Sequence, residues 1–349
     1  MTGKEAKKQV NNKRESNKGK RHHQKYATLR YNYFSNMKKW IFAIFILLTS
    51  VFLSIYLLIP ADIEISKISN AKTTINGEIR SISDENIWEC WWRNPDGQPH
   101  IKGTSFIYDG ATFILTGHQG FSVGISIEDE EIKLSSMITL VSFSTDSTGA
   151  IWQCSIKSGN NPVNRIRNYR KAVDIRKKMT KILENFKSYC SDPKNIYGIN
   201  IQTVSTTDTL LLGMTFNTNH PPSVSEIYQR LYELEENIKK QKATVSGFPM
   251  VHQEKLPDSN YVTRLAYPTS KWLNNNGIFY YRRMVQGNFL TAEVRGGSNN
   301  IDRAFKKLDL YTDDYRKIRM AIPFELWVTN RKQQPDTLQW ITRLYIPIQ

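Results

Sequence analysis

Cysteine is scarce in this sequence: three residues in 349, at Cys90, Cys154 and Cys190, with no C-x-x-C pair among them. That spacing excludes a metal knuckle and a thioredoxin-like redox motif. An odd count allows at most one intramolecular disulfide, for which Cys90 with Cys154 is the conceivable pair. The blander expectation is three small buried hydrophobes. Histidine is equally thin. Beyond the first 60 residues it occurs only at His100, His118, His220 and His252, and these dispersed positions read as surface or satisfied side chains. No G-x-S-x-G, H-E-x-x-H, G-x-x-x-x-G-K-[ST] or dinucleotide glycine fingerprint is present. No metal and no cofactor is expected.

Long apolar runs are missing too, with one exception. Residues 40–59, WIFAIFILLTSVFLSIYLLI, carry no charge, no proline and no glycine, and their only small polar members are Thr49, Ser50 and Ser54. A helix of that length is about 30 Å long, enough to cross the hydrocarbon core of a bilayer. Its flanks give an orientation. Residues 1–39 hold twelve Lys/Arg against two Glu, which accounts for +10 of the net charge of +16. The positive-inside rule then keeps the N-terminus in the cytoplasm and places the rest of the chain on the far side. No A-x-A site follows Ile59, so the segment reads as an uncleaved anchor rather than a signal peptide. The tail is rich in Lys, Asn, Gln and Ser, a composition that predicts disorder and attraction to anionic lipid. Membrane lipid is therefore an expected partner and nucleic acid is not. The location expected is a bacterial inner membrane, crossed once.

Residues 61–192 read as a first external domain. Ile63 and Ile65 alternate with polar residues in an opening strand, and Trp88, Trp91 and Trp92 then crowd into five residues. Rings of that size either plug a core or wall a cavity. Strands are predicted at 104–108, 112–117, 121–127, 133–144 and 150–156. A long helix follows from Pro162, with Ile166, Tyr169, Val173, Met179, Ile182, Phe186 and Tyr189 on its apolar face and a basic, solvated opposite face. This order, with the W-x-x-W-W segment and Asn161-Pro162 opening the last helix, resembles the START-like (SRPBCC, polyketide-cyclase-like) superfamily. The resemblance implies a helix-grip fold enclosing an apolar cavity, with Trp88, Trp91 and Trp92 as its candidate lining.

Residues 196–349 repeat themselves. YVTRLAYP at 261–268 returns as WITRLYIP at 340–347, seventy-nine residues later, and Ile227, Leu231 and Leu234 are answered by Ile301, Phe305 and Leu308, seventy-four later. Each copy reads strand, helix, strand, strand: 209–216, 223–241, 248–254 and 261–267, then 288–295, 299–310, 322–329 and 338–346. Ser223 and Glu226 form a capping box ahead of the first helix, and the turn at 296–299 precedes the second. Two such units give an antiparallel sheet with both helices on one face and a groove on the other.

That arrangement, with the ending Gln334-Pro335-Asp336-Thr337, Trp340 and Tyr345-Ile346-Pro347, closely resembles the GyrI-like effector-binding domain of AraC- and MerR-type regulators. The resemblance implies a groove for small amphiphilic, often cationic or aromatic compounds, with Glu325 as the matching acid. It departs from the family in having no helix-turn-helix ahead of the domain. From strand alternation, Glu325 and Trp327 are expected to share the groove face while Phe324 and Leu326 pack on the helices. A carboxylate beside an indole suits an organic cation. Phe216, Tyr267 and Tyr345 are further groove candidates.

The expected fold is thus α+β: one transmembrane helix, a helix-grip domain and a duplicated strand-helix-strand-strand domain. The expected activity is binding or sensing of a hydrophobic or cationic amphiphile without turnover. Two alternatives stand beside it: a hydrolase or cyclase acting through Glu325 as general acid or base, and a protein-interaction module.

Overall fold

The structure, a computed structural model, describes residues 38–349 apart from 103–104, 130–131, 207–208 and 285. The tail expected to be disordered lies outside the described residues, save its last two lysines. The fold is a mixture of helices and two antiparallel sheets, preceded by one apolar helix. Two compact units divide the chain: the described residues up to Ile65 with Ser155–Ile175, and Ser66–Cys154 with Arg176–Gln349.

In the first unit, helix α1 (Lys38–Leu58) is long and apolar enough to cross a membrane, and its side chains are exposed along most of its length. Near its end the Tyr56 hydroxyl donates to the carbonyl of Asn160 at 2.7 Å, and the Arg165 guanidinium lies 4.5 Å from the Tyr56 ring centroid. Arg165 also donates to Gly159 O at 3.1 Å. Its burial corrects the expectation that the basic residues of the long helix are all solvated.

The second unit carries the second sheet and all of the first but the start of its first strand and the end of its last. The first has β1 (Asp62–Ala71), β2 (His100–Lys102), β3 (Ser105–Tyr108), β4 (Ala111–Gln119), β5 (Ser122–Asp129), β6 (Ile132–Ser144) and β7 (Ser147–Lys157), in the order β1-β7-β6-β5-β4-β3-β2. Helices α2 (Ile75–Ser83) and α3 (Glu85–Trp91) are inserted after β1, capped by Thr74 and Asp84, whose side chains accept from Gly77 N and Asn86 N. After β7 comes α4 (Pro162–Cys190), 29 residues long. Its buried residues include Met179, Ile182 and Phe186 as predicted, but also Ile175, Leu183 and Lys178, while Tyr169 and Val173 are exposed. The buried face is rotated from the predicted one in the first half of the helix, and Lys178 turns inward, 3.8 Å from Asp129.

Trp88, Trp91 and Trp92 are core filling. Trp88 stacks on Trp92 at 5.2 Å with 3° between planes, and both rings contact Phe106, while Trp91 meets Phe186 at 4.8 Å. Each indole N–H finds a carbonyl, of Ile82, Ser81 and Ile107 respectively, so the polar handle of each buried ring is satisfied. Of the cysteines, Cys154 and Cys190 are buried and Cys90 is exposed; all three are free thiols, and the conceivable Cys90–Cys154 disulfide is not formed.

After α5 (Pro193–Tyr197) the second sheet begins: β8 (Gln202–Thr206), β9 (Leu210–Thr218), α6 (Val224–Lys240), β10 (Met250–Lys255), β11 (Tyr261–Pro268), β12 (Tyr280–Arg283), β13 (Gly287–Arg295), α7 (Ser298–Asp314), β14 (Phe324–Trp327) and β15 (Ile341–Ile348). Its order is β12-β9-β11-β10-β14-β15-β13-β8. The two copies are therefore β9-β11-β10 and β13-β15-β14, meeting at the β10–β14 seam. Their registers match: Tyr267 faces Leu212 as Ile346 faces Leu290, and Leu265 faces Met214 as Leu344 faces Ala292. The shorter strands β8 and β12 have no counterpart in the sequence reading, and each pairs with the far copy's outer strand, β8 with β13 and β12 with β9.

Both helices cover one face. Leu231, Leu234 and Ile238 of α6 pack with Leu212, Met214, Leu265 and Tyr267, and Ile301, Ala304 and Leu308 of α7 pack with Leu290, Ala292, Leu344 and Ile346. The Ser223–Glu226 capping box is formed, whereas α7 is capped by Gly297 without a side-chain bond. Between α7 and the earlier elements, Asp314 is ion-paired with Arg80 and accepts from the Tyr197 hydroxyl at 2.8 Å.

Candidate ligand-binding site

The face of the second sheet not covered by α6 and α7 carries its own apolar cluster. Leu211, Met250, Phe289 and Phe324 form it, with Ala266, Met284, Leu326 and Tyr345 partly buried against it. These residues are the alternate positions to the helix-facing ones on the same strands, as the period-2 geometry requires. Over this floor lies a cavity of about 200 Å³. Its described polar lining comes from His252, Arg264, Tyr280, Arg282 and Arg283.

The backbone explains how these groups converge. His252 on β10 and Arg264 on β11 are direct cross-strand partners, and Tyr280 and Arg282 on β12 pair with Gly213 and Leu211 on β9. Gly213 is needed for close approach: a Cβ there would lie 2.8 Å from the Tyr280 ring and 3.1 Å from Leu265 O. The ring thus rests on the sheet, and the Arg282 guanidinium sits 4.8 Å from its centroid. Arg264 donates to Glu254 at 3.1 Å.

His252 has a defined tautomer. Its Nδ1 is 2.7 Å from the carbonyl oxygen of Pro323, which accepts, so Nδ1 carries the proton and Nε2 keeps its lone pair. Among the described residues Nε2 is buried without a hydrogen-bond partner, and the nearest Glu254 oxygen is 3.8 Å away, beyond hydrogen-bonding distance. Burial lowers the imidazole's pKa from its ordinary 6.5.

The residues singled out from the sequence lie mostly elsewhere. The assignment of faces on β14 is reversed: Phe324 and Leu326 belong to the open-face cluster, and Trp327 packs in the helix-side core with Leu231 and Tyr267. Phe216 packs against that same core, whereas Tyr345 alone of the five stands on the open face, its ring 5.1 Å from Phe324 and stacked on it. So Glu325, Trp327, Phe216 and Tyr267 are on the helix side of the sheet.

The physical reason is Arg331. Its guanidinium lies 3.7 Å from the Trp327 ring centroid and 4.8 Å from that of Trp340, donates to Glu325 at 3.2 Å and to Thr342 at 2.8 Å. The Trp327 indole N–H donates to the same Glu325 oxygen at 2.7 Å. The carboxylate and indole suited to an organic cation are therefore occupied by the chain's own cation. Burial raises the Glu325 carboxyl above its usual range while Arg331 and Trp327 pull against that shift. Among the described residues no group of three or more His, Cys, Asp or Glu is placed to hold a metal ion.

His252, Arg264, Tyr280 and Arg282 were not among the sequence candidates. The repeated Thr-Arg-Leu was the available signal: Thr263 and Thr342, Leu265 and Leu344 are buried helix-side, which sends the intervening Arg264 and Arg343 to the other face.

No known family's sequence profile matches the chain, and no curated protein does. Among solved structures it is similar to an EcmrR–DNA complex at 14% identity, covering 54% of this chain and 73% of that one, with a TM-score of 0.40. It is also similar to a Listeria innocua hydrolase at 9% identity, covering 43% and 91%, with a TM-score of 0.36. A third likeness is to SAV2435 bound to tetraphenylphosphonium, at 13% identity, covering 43% and 94%, with a TM-score of 0.31. Likenesses of this size do not decide what the chain binds. The expectation that nucleic acid is no partner finds no support in them.

Proposed function

We propose that this chain is a membrane-anchored binding protein whose duplicated C-terminal sheet takes a small, largely apolar molecule on its open face, without turnover. The observation that carries this reading is the cavity itself: an apolar floor of Leu211, Met250, Phe289 and Phe324, edged by convergent polar groups. Sites for small molecules commonly have that make-up. The resemblance to GyrI-like domains, and of the first sheet with α4 to START-like domains, agrees with a binding role, though fold alone does not assign one. The enzyme alternative would act through Glu325, whose carboxylate is held by Arg331 and Trp327 and does not line the cavity.

Helix α1 would be the anchor, with the basic tail cytoplasmic and both sheets extracytoplasmic. Cys90, the exposed thiol, reports on this: a membrane-impermeant maleimide added to intact cells is expected to label it. Labelling only after lysis would place the sheets inside.

Binding is tested on the full chain in lipid nanodiscs. Saturating 2-naphthylmethanol is expected to raise the unfolding temperature of the wild type, following RT ln(1 + [L]/Kd). Ala266→Phe, which fills the cavity from its floor, is expected to abolish the shift. Equal shifts in both proteins would remove the cavity from the account.

A further inference from the structure

We propose that the turn from β7 into α4 and the first turn of α4, residues 157–167, are seated in the phospholipid headgroup layer of the bilayer that α1 crosses, and that the Tyr56–Arg165 contact holds them there. The inference rests on the reading of α1 as a membrane anchor and adds that the anchor ends in a fixed contact instead of a loose tether.

Depth is the first argument. The apolar run 40–59 fills a hydrocarbon core of about 30 Å, so its last residues stand at the edge of that core. Tyr56 is three residues short of the end of the run, about 5 Å along the helix. At that level aromatic side chains turn their polar ends towards the headgroups. The Tyr56 hydroxyl donates to Asn160 O at 2.7 Å, and the Arg165 guanidinium is 4.5 Å from its ring centroid. Whatever touches Tyr56 shares its depth. The headgroup layer is roughly 5–7 Å thick on each side of the core, so the turn and the start of α4 lie within it.

The end of α1 gives the second argument. The closing turn of a helix leaves carbonyls without intrahelical partners, which is costly beside hydrocarbon. Arg165 answers this cost. Its Nη1 lies 3.5 Å from Tyr56 O, its Nε donates to Gly159 O at 3.1 Å, and its charge stands at the negative end of the helix dipole. Ser158 N donates to Ala61 O at 2.8 Å, and Ile59 between these bonds is buried. The joint is therefore pinned at several points on both sides.

Beside it the first turn of α4 presents Val163, 69% exposed, and the exposed Arg167. An apolar side chain next to a guanidinium suits the interface, the one reaching towards acyl chains and the other towards phosphate. Arg167 also donates to Asn164 at 3.2 Å, and Asp62 and Glu64 are exposed at the start of β1. The partner is thus the phosphate layer as such and not an anionic lipid in particular.

Fluorescence quenching tests this on the full chain in phosphatidylcholine nanodiscs, in a Cys90→Ser background. An NBD label is attached to Val163→Cys or, in a second protein, to Leu48→Cys in the middle of α1. The lipids carry a nitroxide either on the headgroup or in the middle of the acyl chain. The label at position 163 is expected to lose at least half of its emission to the headgroup nitroxide and far less to the acyl one, and the label at position 48 should show the reverse. Tyr56→Ala is expected to halve the headgroup quenching at position 163 and to leave position 48 unchanged. A label at 163 insensitive to both nitroxides, beside a label at 48 quenched by the acyl one, would overturn the headgroup seat while sparing the anchor. Undiminished quenching in Tyr56→Ala would overturn the fixed contact. A label at 48 insensitive to both nitroxides would overturn the membrane reading as well.

Discussion

Arg331 supplies the cation that Glu325 would otherwise seek from a ligand: the buried guanidinium and the largely buried carboxylate are 3.2 Å apart, with the Trp327 ring beneath. A pair of this kind is fragile to the loss of one member, because the survivor is left as an uncompensated buried charge. Glu325→Gln is therefore expected to destabilise the fold by about 3 kcal/mol. It is also expected to leave the affinity for 2-naphthylmethanol unchanged, since the two lie on opposite faces of the sheet. Chemical denaturation and the nanodisc titration measure the two effects separately.

His252 gives a pH dependence of known sign. Burial lowers its pKa from 6.5, so the native state resists the proton that the unfolded chain accepts. Stability from this group is complete above 6.5 and is lost as pH falls below it. Unfolding temperatures measured between pH 7.5 and roughly pH 5 should fall more steeply for the wild type than for His252→Gln. Parallel curves would mean that the imidazole titrates normally.

Glu78 on α2 works in the other direction. The residue is buried, one carboxylate oxygen has no hydrogen-bond partner among the described residues, and burial raises its pKa to about 8. The native state holds the proton while the unfolded chain, with an ordinary value of 4.5, has released it. Its penalty is absent below pH 4.5, grows as pH rises and levels off above about 8, reaching on the order of 5 kcal/mol. Glu78→Gln should raise the unfolding temperature at pH 8, by a margin that shrinks towards pH 5.

Gly213 is expected to tolerate no side chain. Gly213→Val would drive its methyls into the Tyr280 ring and against Leu265 O, with a loss of about 1–3 kcal/mol. Combining it with Tyr280→Ala should return part of that loss, because the ring can yield and the backbone oxygen cannot. A double-mutant cycle by denaturant unfolding reads the coupling.

The duplication was legible because it lies in spacing. The Thr-Arg-Leu triplets seventy-nine residues apart occupy matching registers, with Thr263 and Thr342 equally buried. The capping box of α6 was legible for the same reason: Ser223 and Glu226 meet within one turn of chain. The face of β14 was not. Phe-Glu-Leu-Trp offers an apolar residue on each parity, and this sheet buries apolar side chains on both faces, so alternation carries no sign there. Arg331 was invisible for a different reason. It sits in irregular chain after the strand, where no periodicity says which way a side chain turns. The strands β8 and β12 are short and mostly polar, QTVST and YYRR, and show no apolar period by which the sequence would mark them.

Those two strands have a consequence for how the domain can be taken apart. Since β8 hydrogen-bonds to β13 and β12 to β9, neither half owns both borders of its own sheet. A chain cut between Lys271 and Tyr280 yields fragments that need each other to close: the N-terminal piece lacks the strand beside β9, and the C-terminal piece lacks the strand beside β13. The ancestral half, if it ever stood alone, would have done so as an exchanged pair.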